Sequence, residues 1–241
     1  MMSYLIIIPA RLKSTRLKEK LLIKINKIPI IIRTYLQCLK VTSRKKIIIA
    51  TDSEKIMKSF KKEDTKCILI KSKCLTGTDR IAEVAKRYKA KFYINVQGDE
   101  PFLNPRDLKK IIKSLKYLKK YDVINGYSMI TNKEEYKNTS IPKLVFNKNK
   151  ELLYMSRAPI PSSKKFHFTS AYKQICIYAF KRSALLSFKQ TKKTEFESKE
   201  DIEILRFLEK GLNIKMIKLS GKSFAIDTPQ DLKKAKFFLK K

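Results

Sequence analysis

Tyr4–Leu21 reads YLIIIPARLKSTRLKEKL, and its two halves have opposite characters. Leu5–Ile8 is an unbroken run of large apolar residues that ends at Pro9 and Ala10. A run of this length bounded by proline predicts a fully buried strand of the kind found at the centre of parallel sheets. Arg11, Lys13, Ser14, Thr15, Arg16, Lys18 and Lys20 follow at once. Open α/β sheets bind ligands at the carboxyl ends of their strands, where this cationic, hydroxyl-bearing loop would lie. Guanidinium forks and a lysine point charge suit a polyphosphate, with Ser14, Thr15 and backbone N–H groups completing the cradle. A plain solvated loop is the alternative in a chain this rich in lysine.

The pattern repeats downstream. Ile30–Leu39 predicts a helix packed on a sheet, and Lys46–Ala50 a second buried strand. Thr51, Asp52 and Ser53 read as the cap of a helix running to about Lys62. Cys67–Ile70 predicts a strand, Thr78–Tyr88 a helix with Ile81, Val84 and Ala85 on one face, and Phe92–Val96 a strand. Pro105 begins a helix reaching about Lys119. Strands alternating with helices at this spacing mean βαβ units and a mainly parallel sheet, so the fold class is α/β. The regularity then lapses. Leu144–Ser156 predicts a hairpin around the polar turn Asn147–Lys150, and Lys173–Phe180 a strand. Glu200–Lys210 predicts a helix closed by Gly211, Ile214–Leu219 a strand, and Thr228-Pro229 the start of the last helix. One nucleotide-binding domain with a small β-containing insertion over about 131–189 accommodates these elements.

The chain has 241 residues, enough for one large α/β domain. Its formal net charge of +34 would attract nucleic acid, anionic membranes or phosphorylated substrates. The lysines are spread along the whole length, however, and a nucleic-acid footprint needs clustering, so no nucleic-acid partner is expected. Cys38, Cys67, Cys74 and Cys176 lack zinc-ligand spacing, and His167 is the sole histidine. They read as buried, reduced thiols of a cytoplasmic protein. No apolar run approaches a membrane span, and no signal peptide is visible.

Five further segments carry candidate chemistry. Gln97-Gly98-Asp99-Glu100-Pro101 follows a buried strand directly, so Asp99 would stand at the ligand-binding edge as a candidate Mg²⁺ ligand; a simple Asx turn is the alternative. Asp227, read from its surroundings alone, is a helix-capping aspartate. Thr76-Gly77-Thr78-Asp79-Arg80 starts a helix whose exposed N–H groups suit an anion or a carbonyl; a plain capped helix start is the alternative. Arg157, in Ser156-Arg157-Ala158-Pro159-Ile160-Pro161, could grip a carboxylate bidentately or form a surface salt bridge. Glu197, Glu200 and Glu203 would share one helix face, either solvated or bonded to a polyhydroxyl ligand.

Together PAR-x-x-STRL with Lys20, NVQGDEP, TGTDR, SRAPIP, E-x-x-E-x-x-E and DTP-x-DL resemble the 3-deoxy-manno-octulosonate cytidylyltransferases, the CMP-Kdo synthetases. The resemblance runs in order from Pro9 to Leu232. It implies a Rossmann-like three-layer nucleotidyltransferase that joins CTP to 3-deoxy-manno-octulosonate for lipopolysaccharide biosynthesis, as a homodimer. It further implies Mg²⁺ on Asp99 and Asp227, catalytic roles for Arg11 and Lys20, and nucleotide contacts from Ala10, Arg11, Ser14, Arg16, Lys20, Gly77, Thr78, Arg80 and Gln97. Sugar contacts would come from Gln97, Arg157, Gln174, Tyr178, Glu200 and Glu203. Two departures stand out. The family's PGKPL is KEKLL here, with Glu19 in the glycine's place, and Gln174 replaces a usual histidine before the retained Tyr178. The second departure leaves open a related acidic sugar, such as 8-amino-Kdo or a sialic-acid-like one. A basic RNA-binding protein is the rival from another class.

Overall fold

The apolar run after Tyr4 lies within β1 (Met2–Ala10), and its side chains from Leu5 to Ile8 are almost wholly excluded from solvent. The computed structural model describes residues 2–72, 74–165, 168 and 170–238; His167 lies outside them. The chain forms two compact units, residues 1–109 with 222–241 and residues 110–221.

In the first unit, β1 leads through a cationic loop to the short hairpin β2 (Lys24–Ile25) and β3 (Ile28–Pro29), then to α1 (Ile30–Leu39). β4 (Ile47–Thr51), α2 (Glu54–Ser59), β5 (Lys66–Leu69), α3 (Gly77–Arg87), β6 (Ala90–Val96) and α4 (Pro105–Ser114) follow, the unit boundary falling inside α4. β4 and β6 pair in parallel on opposite sides of β1, and β5 adds in parallel to β4. The chain builds outward from β1 through β4 to β5, then returns to lay β6 on the other side. That reversal creates the crevice at which such sheets bind ligands. The helix expected up to Lys119 is α-helical only to Ser114 and tightens to a 3₁₀ turn over Leu115–Lys119. Likewise α2 stops at Ser59, short of Lys62.

The second unit contains β7 (Val123–Met129), α5 (Lys133–Lys137), β8 (Lys143–Phe146), β9 (Leu152–Ser156), β10 (Tyr172–Lys181), α6 (Arg182–Gln190), α7 (Glu195–Glu200), α8 (Ile204–Glu209) and β11 (Ile214–Lys218). β11 runs parallel to β7, while β10 pairs antiparallel with both β7 and β8, and β8 with β9. The chain then re-enters the first unit, ending with α9 (Pro229–Phe238). The strands paired with β1 and β4 in the first unit are all parallel, and the second unit's pairings are mixed, in keeping with an α/β fold.

The helix expected over Glu200–Lys210 is a correction. Asp201 takes a left-handed conformation (φ +50°), closing α7 and separating it from α8. Glu197, Glu200 and Glu203 therefore do not share a helix face; Glu203 is the N-cap of α8. Glu197 is neither solvated nor on a ligand face. It is 1% exposed and bonded to Arg206 through both oxygens at 2.6 Å, with Arg206 lying over the Phe188 ring. Of the four thiols only Cys38 is fully buried; Cys67, Cys74 and Cys176 are half-buried.

Candidate functional site

At the carboxyl edge of the first unit's sheet, the register Ala10↔Thr51 between β1 and β4 and Ile7↔Asn95 between β1 and β6 brings three loops out side by side. These are residues 11–20, the turn at Asp52–Ser53, and Gln97–Pro101. Gly98 is required where it stands: a Cβ there would lie 2.9 Å from the Pro9 carbonyl oxygen and from Ile31 Cδ1. Gly98's carbonyl accepts from the buried Thr34 hydroxyl of α1 at 2.9 Å.

Lys20 is the centre of this edge. Its ammonium donates to Asp99 Oδ2 at 2.5 Å and to Asp227 Oδ1 at 2.8 Å, and Arg16 Nη2 reaches the same Asp227 oxygen at 3.0 Å. Burial would lower the Lys20 pKa, but the Asp99 charge and the hydrogen bonds to both carboxylates outweigh it and raise it above the ordinary lysine value. Asp227, far away in sequence, is held to Asp99 by a backbone bond from Ile226 N to the Asp99 carbonyl at 2.9 Å. It is also fixed by its place before α9, where Thr228 and Asp231 cap the helix reciprocally. Asp227's own amide donates to Asp231 Oδ2 at 3.1 Å. Capping is thus the task of Thr228 and Asp231, and the Asp227 carboxylate is directed to Lys20 and Arg16.

Glu100 is a member of this cluster that motif reading passed over. It is 6% exposed, its Oε2 has no hydrogen-bond partner among the described residues, and its pKa is pushed up to about 8 by burial, then by the charges of Asp99 and Asp227. At neutral pH it is largely uncharged. Its only sequence signal was its position beside Asp99.

Asp99 and Asp227 share one cation, Lys20, which shows that the pocket favours positive charge between the two carboxylates. Mg²⁺ uses one or two protein carboxylates and fills its shell with water and phosphate oxygens, so this donor pair fits it. A dedicated cage does not exist: among the described residues no group of three or more His, Cys, Asp or Glu side chains could hold a metal.

Beside this cluster, Thr76 and Asp79 form a capping box at the start of α3. Gly77 lies against the Gln97 side chain and Pro9. Thr78 and Arg80 are buried, and Arg80 Nη2 donates to Asp52 Oδ2 at 3.0 Å. Arg11 and Arg16 are exposed on the loop, Ser14 is half-buried, and Ala10 is buried at the end of β1. The first unit thus gathers Ala10, Arg11, Ser14, Arg16, Lys20, Gly77, Thr78, Arg80, Gln97, Asp99 and Asp227.

The second unit carries Arg157, Gln174, Tyr178, Glu200 and Glu203. Glu200 accepts from Ser156 Oγ at 2.6 Å and from Arg157 N at 2.8 Å. Arg157 donates through Nε to the Glu200 carbonyl (2.6 Å), through Nη1 to Thr139 O (3.0 Å) and through Nη2 to Asp201 O (2.9 Å). Its fork therefore satisfies the open carbonyls at the C-terminal end of α7. Its Nη2 also lies 3.8 Å from Asp201 Oδ2, so the fork is engaged within the second unit. Beneath it the wholly buried Lys143 ammonium donates to the carbonyls of Asn138, Ile141 and Arg157. Burial and then the Arg157 charge lower the Lys143 pKa, against Glu200. Gln174 Nε2 donates to Asn125 Oδ1 at 3.1 Å. Tyr178 stacks on Phe180, ring centroids 5.9 Å apart.

Residues 5–217 match the family model described as cytidylyltransferase, which sets the class. A 3-deoxy-manno-octulosonate cytidylyltransferase of Christiangramia forsetii is 36% identical over 96% of this chain and 95% of its own length. One from Elusimicrobium minutum is 35% identical over 98% of both. Among solved structures, CMP:2-keto-3-deoxy-manno-octonic acid synthetase complexed with CTP superposes with a TM-score of 0.92 at 31% identity, covering 98% of each chain. The chain belongs to the family of 3-deoxy-manno-octulosonate cytidylyltransferases. HddC of Yersinia pseudotuberculosis, at 18% identity and a TM-score of 0.74, shares the fold.

Proposed function

We propose that this protein transfers the cytidylyl group of CTP to 3-deoxy-manno-octulosonate, releasing pyrophosphate, and so feeds lipopolysaccharide assembly from the cytoplasm. The observation that carries the reading is the Lys20–Asp99–Asp227 cluster at the reversal of the sheet, in a chain aligned over nearly its whole length with relatives of that name. The anomeric hydroxyl attacks the α-phosphorus in line and pyrophosphate departs, with no covalent enzyme intermediate. Arg11, Arg16 and Lys20 bind the phosphate oxygens and compensate charge that grows on the leaving group. Asp99 and Asp227 would hold Mg²⁺, which supplies Lewis-acid neutralisation of phosphate oxygens. Gly77, Thr78, Arg80 and Gln97 line the base and ribose, and Arg157, Gln174, Tyr178, Glu200 and Glu203 serve sugar recognition. Positioning and charge compensation supply the acceleration.

A second reading keeps the nucleotide chemistry and changes the sugar. Gln174 is not loose: it is tied to a buried asparagine, so it presents a fixed polar group where the family commonly has an imidazole. Pyrophosphate release from each of the four nucleoside triphosphates, with a small panel of sugar acids, tests both. CTP with 3-deoxy-manno-octulosonate is expected to lead. A lead by another eight- or nine-carbon sugar acid would select the second reading, and equal use of ATP or GTP would sink both. Gel filtration checks the expected homodimer.

A further inference from the structure

Asp52 follows β4 directly, and the register Ala10↔Thr51 places it level with the first residues of the cationic loop. Its position before α2 suggests a helix cap, but Ser53 is the N-cap and no side-chain cap bond forms there. The carboxylate is used elsewhere. Oδ1 accepts the backbone amide of Leu12 at 2.9 Å, and Oδ2 accepts Arg80 Nη2 at 3.0 Å. These two partners belong to the loop that carries Arg11 and Arg16 and to the first turn of α3. The Arg80 side chain is 6% exposed, and Asp52 is its ion-pair partner. Its Nη1 is buried with no hydrogen-bond partner among the described residues.

We infer that Asp52 is a positioning residue of the nucleotide site, holding the start of the phosphate loop and the Arg80 guanidinium in one frame so that Arg80 Nη1 meets an acceptor oxygen of the nucleotide. The inference rests on the cytidylyltransferase reading and adds to it a residue that touches neither phosphate nor metal. Three physical points support it. A buried donor without a protein partner is costly, and an acceptor oxygen of the nucleotide would satisfy it. A buried guanidinium needs a counter-charge, and Asp52 supplies it while leaving Nη1 unengaged. One carboxylate accepting from both elements couples them, so a displaced loop also turns the arginine fork.

Asp52→Asn is the test, with Asp52→Glu as the charge-conserving partner. The exposed Arg44–Asp64 pair provides the control, Asp64→Asn. In Asp52→Asn the side-chain carbonyl can still accept from Leu12, but the amide hydrogens would face the guanidinium, so the Arg80 bond is lost. By calorimetry the CTP dissociation constant is expected to rise about tenfold to a hundredfold, the loss of a charge-assisted hydrogen bond, and to be partly restored in Asp52→Glu. KM for CTP should rise with little change in kcat, and combining Asp52→Asn with Arg80→Gln should cost little more than either alone. Independently of any ligand, trypsin should cut the loop at Lys13 and Arg16 faster in Asp52→Ala, where both bonds are lost, than in wild type or Asp64→Asn. Unchanged loop cleavage in Asp52→Ala overturns the clamp, and faster cleavage with unchanged CTP affinity overturns its role in the nucleotide site. A wild-type protein that bound no CTP would refute the cytidylyl reading and the nucleotide role together. The trypsin result would then decide the clamp alone.

Discussion

Glu19 has φ +48° and ψ +36°, a left-handed conformation that side chains with a Cβ avoid, and it stands where the resembled family has glycine. Glu19 thus adopts a backbone shape that glycine takes without strain, and the Lys55–Glu19 ion pair at 2.7 Å accompanies it. Glu19→Gly should relieve this strain, less the added freedom of glycine in the unfolded chain, for a net gain of about 0.5–1 kcal/mol. Urea unfolding measures it; a loss of stability would mean that the ion pair outweighs the strain. Lys20, next in the chain, is held by two carboxylates, and Asp99→Asn should nearly abolish turnover with the fold intact by circular dichroism. Retained activity with Mg²⁺ would overturn the proposal that Asp99 holds the metal. Glu100 contributes a pH signature. Its folded pKa of about 8 exceeds the ordinary glutamate value of 4.5, so between these values the folded state binds more protons than the unfolded state. The contribution to stability is fully present below about 4.5 and declines as pH rises, levelling off above about 8. Glu100→Gln should flatten this slope in the metal-free protein. A slope identical to wild type would show that Glu100 is not its source.

Elements with a continuous apolar pattern were legible in the sequence, and those built around a polar residue were not. β1, β4 and α1 follow from runs of isoleucine and leucine that have nowhere to go but the core. β7 is equally buried but reads VINGYSM, and Asn, Gly and Ser resemble a loop. Its logic is tertiary. Asn125 is fully buried and donates to the carbonyls of Ile175 and Ile177, at the irregularity between Ile175 and Tyr178 where β10 shifts register. A Cβ on Gly126 would sit 2.4 Å from Leu219 Cδ1, so the close packing of β7 excludes larger residues. The break at Asp201 was hidden for a related reason, because a left-handed aspartate leaves no mark in a helical pattern. The residues of the candidate site were visible as motifs, while the contacts of Asp52 and Asn125 depend on partners distant in sequence. Asn125→Ala would leave two buried carbonyls without their donor and release Gln174, costing about 2–3 kcal/mol of stability. If Gln174 recognises sugar, KM for the sugar should rise more than KM for CTP. Equal changes in both would detach Gln174 from sugar recognition.

For the whole molecule the question is what a net charge of +34 does. Much of it lies on exposed lysines, where each charge contributes little and salt screens it within ~8 Å. An RNA-binding surface would pair such lysines with open aromatic faces for stacking. Several exposed aromatics are instead engaged within the protein: Phe196 meets Tyr154 edge-on, and Phe238 packs against Phe102 and Phe224. No helix among the described residues is long and apolar enough to cross a membrane. Functional positive charge should therefore concentrate in the first loop, at Arg16 and Lys20, which meet the carboxylates, and at exposed Arg11 beside the expected phosphates. Lys233 and Lys236, exposed on α9, offer the comparison. Replacing both with glutamine should leave turnover within about twofold of wild type, as expected of exposed charges without a specific partner. Arg11→Ala should lower turnover by about 100-fold, because its contact strengthens as the leaving pyrophosphate gains charge. Measured side by side with CTP at saturating sugar, a Lys233/Lys236 variant as impaired as Arg11→Ala would show that the dispersed charge itself has a function. The same two proteins, titrated with RNA at rising salt, would then reveal whether that function is nucleic-acid binding, through a slope that falls as the lysines are removed.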